Sequence, residues 1–249
     1  MATLVADQTP RSAVPAETFR LQWGKAWRAL QRLLSDKEDT VQVFEIMRAL
    51  SGKSVPNGYA KLLTTPQGGR LAYQRLELAE RLMDRAWVAS FAPGTVGAAY
   101  AGFTARENLS AEGLAKESRK GTAIVDAPHP YAWYGRRIRD THDIWHMLTG
   151  YGRDALGEAC LVAFSYAQTK SLGWALIALG AASRIGDTSG LPLRRAIWEG
   201  YQRGRKAAWL PGEDYERLLA EPMDVARVRL NIAPAKLYDS IPLEVRRRS

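Results

Sequence analysis

The sequence predicts an all-α fold in a single helical domain, and three observations lead to this prediction. Apolar residues recur at intervals of three and four from Phe19 onward, the spacing of one helix face. Few stretches alternate as strands do, and short segments rich in Gly, Pro and Asn separate the periodic ones. The chain has 249 residues, 46% of them hydrophobic, which is enough for one core. We therefore predict one domain over residues 18–249, preceded by a mobile tail at residues 1–17.

The predicted helices follow in chain order. The first has four apolar residues on one side, Trp23, Trp27, Leu30 and Leu34. The second begins at the capping residue Asp39 or Thr40 and has the same spacing in Val43, Ile46, Met47 and Leu50. Six further segments have helical spacing: 70–88, 95–104, 131–149, 155–183, 192–209 and 223–230. The predicted breaks between helices fall at 54–58, 66–69, 127–130 and 187–190.

Composition narrows the classes of protein to consider. The one cysteine, Cys160, cannot form an intramolecular disulfide, and the N-terminus lacks the basic start and apolar run of a signal peptide. The single cysteine leads us to expect a reduced, cytoplasmic setting. Pro93-Gly94 interrupts the longest charge-free run, 86–105, so we predict no membrane span. The net charge of +9 attracts anionic partners, but the sequence has no motif that reads DNA or RNA, so we expect no nucleic acid among them.

The strongest chemical pattern is the pentapeptide His142-Asp143-Ile144-Trp145-His146, which contains two of the three histidines. At ~100° per residue, a helix places both histidines and Asp143 in one sector. Two imidazoles four residues apart can chelate one ion. The pentapeptide therefore predicts a metal site on a helix.

A turn after this helix supplies a fourth candidate ligand. Gly150 predicts the end of the helix, and Asp154 is placed to cap a new helix that starts at Ala155. If the two helices form an antiparallel pair, Glu158 in the first turn of the second helix lies beside His146. The predicted ligands are then His142, Asp143, His146 and Glu158.

Two imidazoles and two carboxylates without a thiolate suit zinc first, and also manganese, iron or cobalt. In the structural alternative, the histidines are hydrogen-bonded helix residues and the acids are surface carboxylates. The pattern also imitates the zincin helix His-Glu-x-x-His, with Asp143 in the place of the catalytic Glu. Aspartate is one methylene shorter, which shortens its reach to a metal-bound water, so a zincin-like hydrolase is the weaker hypothesis.

Other patterns give weaker signals. Gly52-Lys53-Ser54 resembles the end of a phosphate-binding P-loop, but that motif needs Gly at the position of Met47 and a preceding strand, so we predict a turn. His129, between two prolines, is predicted to be structural, and Cys160 to be a packing residue. The basic clusters 136–139, 203–206 and 246–248 are predicted to be solvated faces, or alternatively to attract an anionic membrane or an acidic substrate group.

The segment 137–146, followed by Leu156-Gly157-Glu158, resembles the signature of the coenzyme Q biosynthesis protein 4 family, which acts in ubiquinone biosynthesis. Two other segments are similar to parts of the family: 93–100, with its Gly-x-x-Gly-x-x-Tyr pattern, and 198–216. The resemblance covers about residues 70 to 230. It implies an all-helical protein with a divalent metal, usually zinc, on His142, Asp143, His146 and Glu158, which would also be the catalytic residues.

The resemblance further implies work on a polyprenyl hydroxybenzoate intermediate, whose ring carboxylate is lost as the same carbon is hydroxylated. Arg137 or Arg139, about one helical turn before the histidines, is the candidate to hold that carboxylate. A different role implied by the family is a non-catalytic scaffold that binds prenyl lipid and organises the other biosynthetic enzymes.

The expected partners follow from this resemblance. They are the polyprenyl benzoate, the membrane surface, other ubiquinone biosynthesis proteins and a second copy of the chain. Because a polyprenyl substrate lives in the bilayer, the net positive charge would serve at an anionic membrane surface. We expect a cytoplasmic protein that is peripherally associated with the inner membrane.

Overall fold

A computed structural model of the chain describes residues 19–36, 39–107, 129–185 and 190–248. Within these ranges the backbone forms helices and no β-strand, apart from an isolated antiparallel bridge between Thr95 and Pro222. The all-α prediction is confirmed. The predicted tail at residues 1–17 lies outside the described residues.

The helices of the described ranges are short to medium in length, and none is long and apolar enough to cross a membrane. In chain order they are α1 (Trp23–Ser35), α2 (Thr40–Ala49), α3 (Ser54–Leu63), α4 (Gly68–Gln74), α5 (Leu78–Met83), α6 (Arg85–Ala89), α7 (Val96–Arg106), α8 (Pro130–Asp140), α9 (His142–Thr149), α10 (Ala155–Thr169), α11 (Leu172–Arg184), α12 (Leu193–Lys206), α13 (Tyr215–Leu218), α14 (Met223–Arg229), α15 (Lys236–Asp239) and α16 (Leu243–Arg248). A 3₁₀ turn lies at Leu210–Gly212.

The core is built around α10, which is buried along most of its length and packs between α11 and α12. Two glycines let the backbones of α10 and α12 approach closely. A Cβ atom on Gly200 would lie 2.5 Å from the carbonyl oxygen of Cys160, and one on Gly204 would lie 2.6 Å from that of Phe164. Cys160 is buried in this contact, as predicted for a packing residue.

The predicted break at 54–58 is wrong, because α3 begins at Ser54. Pro56 lies in the first turn of the helix, where no intrahelical N–H donor is needed. Gly58 is required by packing instead of by a turn, since a Cβ atom there would lie 2.6 Å from the hydroxyl oxygen of Tyr134.

Three segments predicted as continuous helices are divided in the structure. Segment 70–88 falls within three short helices, and 131–149 divides at Thr141, whose hydroxyl donates to the carbonyl of Ile138 at 2.8 Å. Segment 155–183 divides at Lys170, which ends α10 in a left-handed conformation with φ of +56°.

The predicted apolar side of the first helix is only partly the buried one. Ala26, Ala29, Leu30 and Leu33 are buried, whereas Trp23 and Trp27 are 53% and 56% exposed. The small alanines and Leu30 allow close packing, and Leu30 fills the space beside Gly180 of α11. The two tryptophans therefore remain on the surface.

Candidate metal centre

The first turns of α9 gather the side chains of the predicted metal-binding motif. One potential ligand atom from each of His142, Asp143 and His146 lies within 4.8 Å of the other two. The two imidazole rings are 5.0 Å apart and nearly perpendicular, and Nδ1 of His142 lies 3.5 Å from Oδ1 of Asp143. A cluster of two nitrogens and one carboxylate oxygen could hold a metal ion.

The tautomer of His146 is fixed by the backbone of the following turn. Its Nδ1 lies 2.9 Å from the carbonyl oxygen of Tyr151, which can only accept, so Nδ1–H donates. The imidazole is fully buried, and its Nε2 has no hydrogen-bond partner among the described residues. A hydrogen bond from one ring nitrogen to a backbone carbonyl is the contact that typically orients a histidine whose other nitrogen binds a metal.

The turn between α9 and α10 brings Glu158 to the same place. Gly150 ends α9 with φ of +79°, and the Asp154 side chain caps α10 by accepting the N–H of Gly157 at 2.9 Å, both as predicted. The turn is tight, because a Cβ atom on Gly157 would lie 2.1 Å from the carbonyl oxygen of Gly152. Oε1 of Glu158 lies 3.4 Å from Nε2 of His146.

The contact between His146 and Glu158 requires a cation. With Nδ1 protonated, the Nε2 lone pair of a neutral His146 faces a carboxylate oxygen, which is repulsive unless a proton or a metal ion lies between them. Burial alone would lower the pKa of His146, but the negative charge of Glu158 outweighs it and raises the pKa. Partial burial would raise the pKa of Glu158, but His146, His142 and Arg153 lower it to about 2. The donor set and the buried Nε2 therefore fit a divalent ion.

Two distant helices supply aromatic walls that the sequence did not mark as site residues. Phe103 of α7 stacks on His146 at 5.5 Å, and Trp174 of α11 stacks on His142 at 5.9 Å. Burial raises the pKa of Tyr100, and the nearby charges of Asp143 and Asp140 raise it further, so the phenol stays protonated. Phe103 lies three residues after Tyr100, so it continues the Gly-x-x-Gly-x-x-Tyr spacing along one helical face. This spacing is the only signal in the sequence that could have marked Phe103 as a site residue.

Both predicted substrate-binding arginines contact carboxylates of the protein. The Arg137 guanidinium is almost completely buried, and its Nη2 lies 3.0 Å from Oε2 of Glu216. Arg139 pairs with Asp140 at 2.6 Å. Arg136, from the same basic cluster, pairs with Glu77, so this cluster is not simply a solvated face.

Two arginines from the C-terminal half hold the end of α9. Arg203 is buried and donates from Nη2 to the carbonyl of Thr149 at 2.7 Å, so the predicted solvated face is wrong for this residue, whereas Arg205 and Lys206 of the same cluster are exposed. Arg227 donates to the carbonyls of Leu148 and Met147 at 2.9 and 2.8 Å. Cations at these unpaired carbonyls stabilise the helix that carries the histidines.

Comparison with known proteins identifies the family of the chain. The model of the family described as "Coenzyme Q (ubiquinone) biosynthesis protein Coq4" matches residues 13–236, which is most of the chain. The chain belongs to the Coq4 family. The resemblance seen in the sequence motifs is thereby confirmed.

Individual Coq4 relatives are distant. The chain is 27% identical over 195 residues to the mitochondrial ubiquinone biosynthesis protein coq4 of Botryotinia fuckeliana, covering 75% of this chain and 65% of that protein. It is 31% identical over 157 residues to a mitochondrial COQ4 homolog of Nematostella vectensis, covering 60% of this chain and 71% of the homolog. The chain thus spans about two thirds of the length of these relatives.

A solved structure shares the fold of this Coq4 chain. It is the crystal structure of a Nostoc punctiforme protein provisionally named as a ubiquinone biosynthesis protein, with a TM-score of 0.61 and 20% sequence identity. The match covers 86% of this chain and 99% of that one. At this identity the likeness shows the helical fold alone.

Proposed function

We propose that this Coq4-family protein acts in ubiquinone biosynthesis as a metal-dependent oxidative decarboxylase. Its substrate would be a polyprenyl hydroxybenzoate, which loses its ring carboxylate as carbon dioxide and gains a hydroxyl on the same carbon. The observation that carries the proposal is the cluster of His142, Asp143 and His146. The buried Nε2 of His146 lies 3.4 Å from Glu158 and has no hydrogen-bond partner among the residues that the structure describes.

The exchange of a carboxylate for a hydroxyl is a net two-electron oxidation of the ring carbon. The substrate therefore needs a two-electron oxidant, for which dioxygen is the proposed class. With dioxygen, one benzoic acid and one water give one phenol, one carbon dioxide and one hydrogen peroxide, which balances atoms and electrons.

His142, Asp143, His146 and Glu158 would hold the divalent ion, with zinc as the first candidate. When bound, such an ion polarises the substrate carboxylate or an adjacent phenolic oxygen, so that the ring can hold negative charge as carbon dioxide leaves.

The chain's own groups prepare this site. The Tyr151 carbonyl keeps Nδ1 of His146 protonated, and the rings of Phe103 and Trp174 each cover one face of an imidazole, His146 and His142 respectively. Tyr100 holds a proton near Asp143. For Arg137 and Arg139, whose guanidinium groups already contact carboxylates, we propose a positioning role for α8 and α9, while direct binding of the substrate carboxylate stays a prediction.

A membrane-borne substrate requires contact with the bilayer, and we propose that α1 provides it. Trp23 and Trp27 lie one helical turn apart and are more than half exposed. The exposed cations of this helix are Lys25, Arg28 and Arg32, and α1 contains no acidic residue. Exposed tryptophans flanked by cations suit the interface of an anionic membrane.

We expect the double variant Trp23→Ala/Trp27→Ala to bind vesicles containing phosphatidylglycerol about tenfold more weakly than the wild type. The variant lacks the two apolar rings that would move from water into the membrane interface. Vesicle flotation would measure this. The matched control is Tyr73→Ala/Trp198→Ala, which removes two other exposed aromatic rings. Equal binding by both double variants would contradict the assignment to α1.

Complementation tests the proposed function in cells. We expect His142→Ala and Glu158→Ala to lose bound metal and to fail to restore ubiquinone in cells that lack the native protein. Full restoration by metal-free variants would contradict the enzyme and favour a prenyl-lipid scaffold. Peptide hydrolysis by the wild type that Asp143→Asn abolishes would favour the zincin-like hydrolase instead.

A further inference from the structure

A groove of about 840 Å³ lies away from the histidine cluster. Its walls are the turn that precedes α3, the end of α10 and the end of α12. None of the four predicted metal ligands lines it. The groove is therefore a feature that the proposed chemistry does not use.

The groove is lined by four cations and by no acidic residue. The cations are Lys53, Lys61, Lys170 and Arg205, which come from three different parts of the chain. Within the part of the chain that the structure describes, none of the four makes an ion pair with a carboxylate. Like charges held together without a counter-ion raise the energy of the free protein and favour an anionic ligand.

Aromatic rings lie beside three of these cations. Nζ of Lys61 lies 4.3 Å from the ring centre of Trp209, Nζ of Lys170 lies 5.8 Å from that of Tyr166, and Arg205 lies 6.0 Å from that of Tyr201. A cation–π contact orients a cation without neutralising it. Burial lowers the pKa of Lys61, and the positive charge of Lys170 lowers it further. The second effect agrees with repulsion between the cations of the groove.

The backbone around the groove is fixed. The buried Gln168 side chain donates to the carbonyls of Gly204 and Ala208, at 2.7 and 3.1 Å, and accepts the N–H of Leu210 at 2.8 Å. It thereby ties the end of α10 to the segment that follows α12. Lys170 has a left-handed φ of +56°, a strained conformation for a lysine that the rigid surroundings maintain.

The opposite wall contains Gly52-Lys53-Ser54, the segment for which we predicted a turn instead of a P-loop. Gly52 has φ of +47°, and Lys53 precedes α3, whose N-terminus has no side-chain cap. The N-terminus of this ten-residue helix adds partial positive charge to that of the cations. Phe19, Leu21 and Trp209 provide apolar surface in the same groove.

We propose that this groove binds a phosphate-bearing amphiphile, with its phosphate among Lys53, Lys61, Lys170 and Arg205 and its apolar part against Phe19, Leu21 and Trp209. The positive charge of four cations and a helix N-terminus exceeds the single negative charge of a carboxylate. This favours a phosphate group, which carries more negative charge. The phosphate could belong to a soluble compound or to a lipid headgroup. The proposal is independent of the metal chemistry, because the two sites share no residue.

The test uses two probes on the full chain: inorganic diphosphate in calorimetric titration, and flotation with vesicles that contain phosphatidylglycerol. We expect Lys61→Gln/Lys170→Gln to bind about tenfold more weakly than the wild type to at least one probe. The control variant Arg195→Gln/Lys236→Gln removes the same charge from exposed positions outside the groove and should bind as the wild type does.

A selective loss of diphosphate binding would support a soluble phosphorylated ligand, and a selective loss of vesicle binding alone would support a lipid headgroup. The proposal would be overturned if the wild type bound neither probe, if both double variants lost binding equally, or if the groove variant bound both probes as the wild type does.

Discussion

Replacing His146 with Gln is expected to reduce bound metal from about one ion per chain to less than about one tenth. His146 is the buried member of the cluster, and its Nε2 is the donor that the Tyr151 carbonyl orients. Glutamine has a similar volume but offers an amide in place of an imidazole nitrogen, so the core is kept while the ligand is lost. Elemental analysis of purified protein measures the metal.

His129→Gln is the matched control, because His129 caps α8 through its Nδ1 and lies outside the cluster. It should retain metal at the wild-type level, and circular dichroism should show the same helix content for both variants. If the buried substitution prevents folding, Glu158→Gln at the half-exposed fourth position gives the same test. Undiminished metal in folded His146→Gln and Glu158→Gln would contradict the proposed ligand set.

Replacing Glu216 with Leu is expected to lower the free energy of unfolding by about 3–5 kcal/mol, because it leaves the buried Arg137 guanidinium without its counter-ion. Nη1 and Nη2 of Arg137 donate to both carboxylate oxygens of Glu216, at 3.3 and 3.0 Å. Denaturant titration measures the change. Glu45→Leu, which breaks the more exposed pair with Arg48, should cost less than about 1 kcal/mol.

The same pair gives a pH dependence. Burial would raise the pKa of Glu216, but hydrogen bonding to Arg137 and its charge lower it from the ordinary value of 4.5. The pair therefore stabilises fully above this pH, and the stabilisation is lost as the pH falls through the lower pKa of the folded state. The difference in stability between the wild type and Glu216→Leu should shrink correspondingly in acid.

The double variant Arg137→Met/Glu216→Leu separates the two roles considered for Arg137. Removing both charges should recover most of the stability that Glu216→Leu loses. If Arg137 only positions α8, the recovered variant keeps the Michaelis constant for the benzoate near the wild-type value. A large rise in that constant in the stable double variant would instead assign Arg137 to substrate binding.

The parts of the site that the sequence predicts are those set by local geometry. The spacing of His142 and His146 places both rings on one face of any helix, and Gly150 and Asp154 determine where α9 ends and α10 begins. These local rules are sufficient to bring Glu158 within 3.4 Å of His146. The all-α fold followed in the same way from the spacing of apolar residues.

The features that the sequence missed depend on contacts between distant segments. Phe103 and Trp174 reach the histidines only because α7 and α11 pack beside α9, and no local pattern specifies that packing. Arg137 binds Glu216, which is 79 residues away in the chain. Because no local pattern shows this partner, the basic cluster 136–139 was predicted to be a solvated face. Trp23 and Trp27 have core-like spacing, but the alanines of α1 pack more closely and occupy the interface.

Incubation of the metal-loaded protein with a prenylated hydroxybenzoate, in air and without oxygen, tests the central claim most directly. We predict equal amounts of carbon dioxide and hydroxylated ring in air, little of either without oxygen, and neither product with His146→Gln in either atmosphere. Absence of both products from the metal-loaded wild type in air and without oxygen would contradict the proposed enzyme.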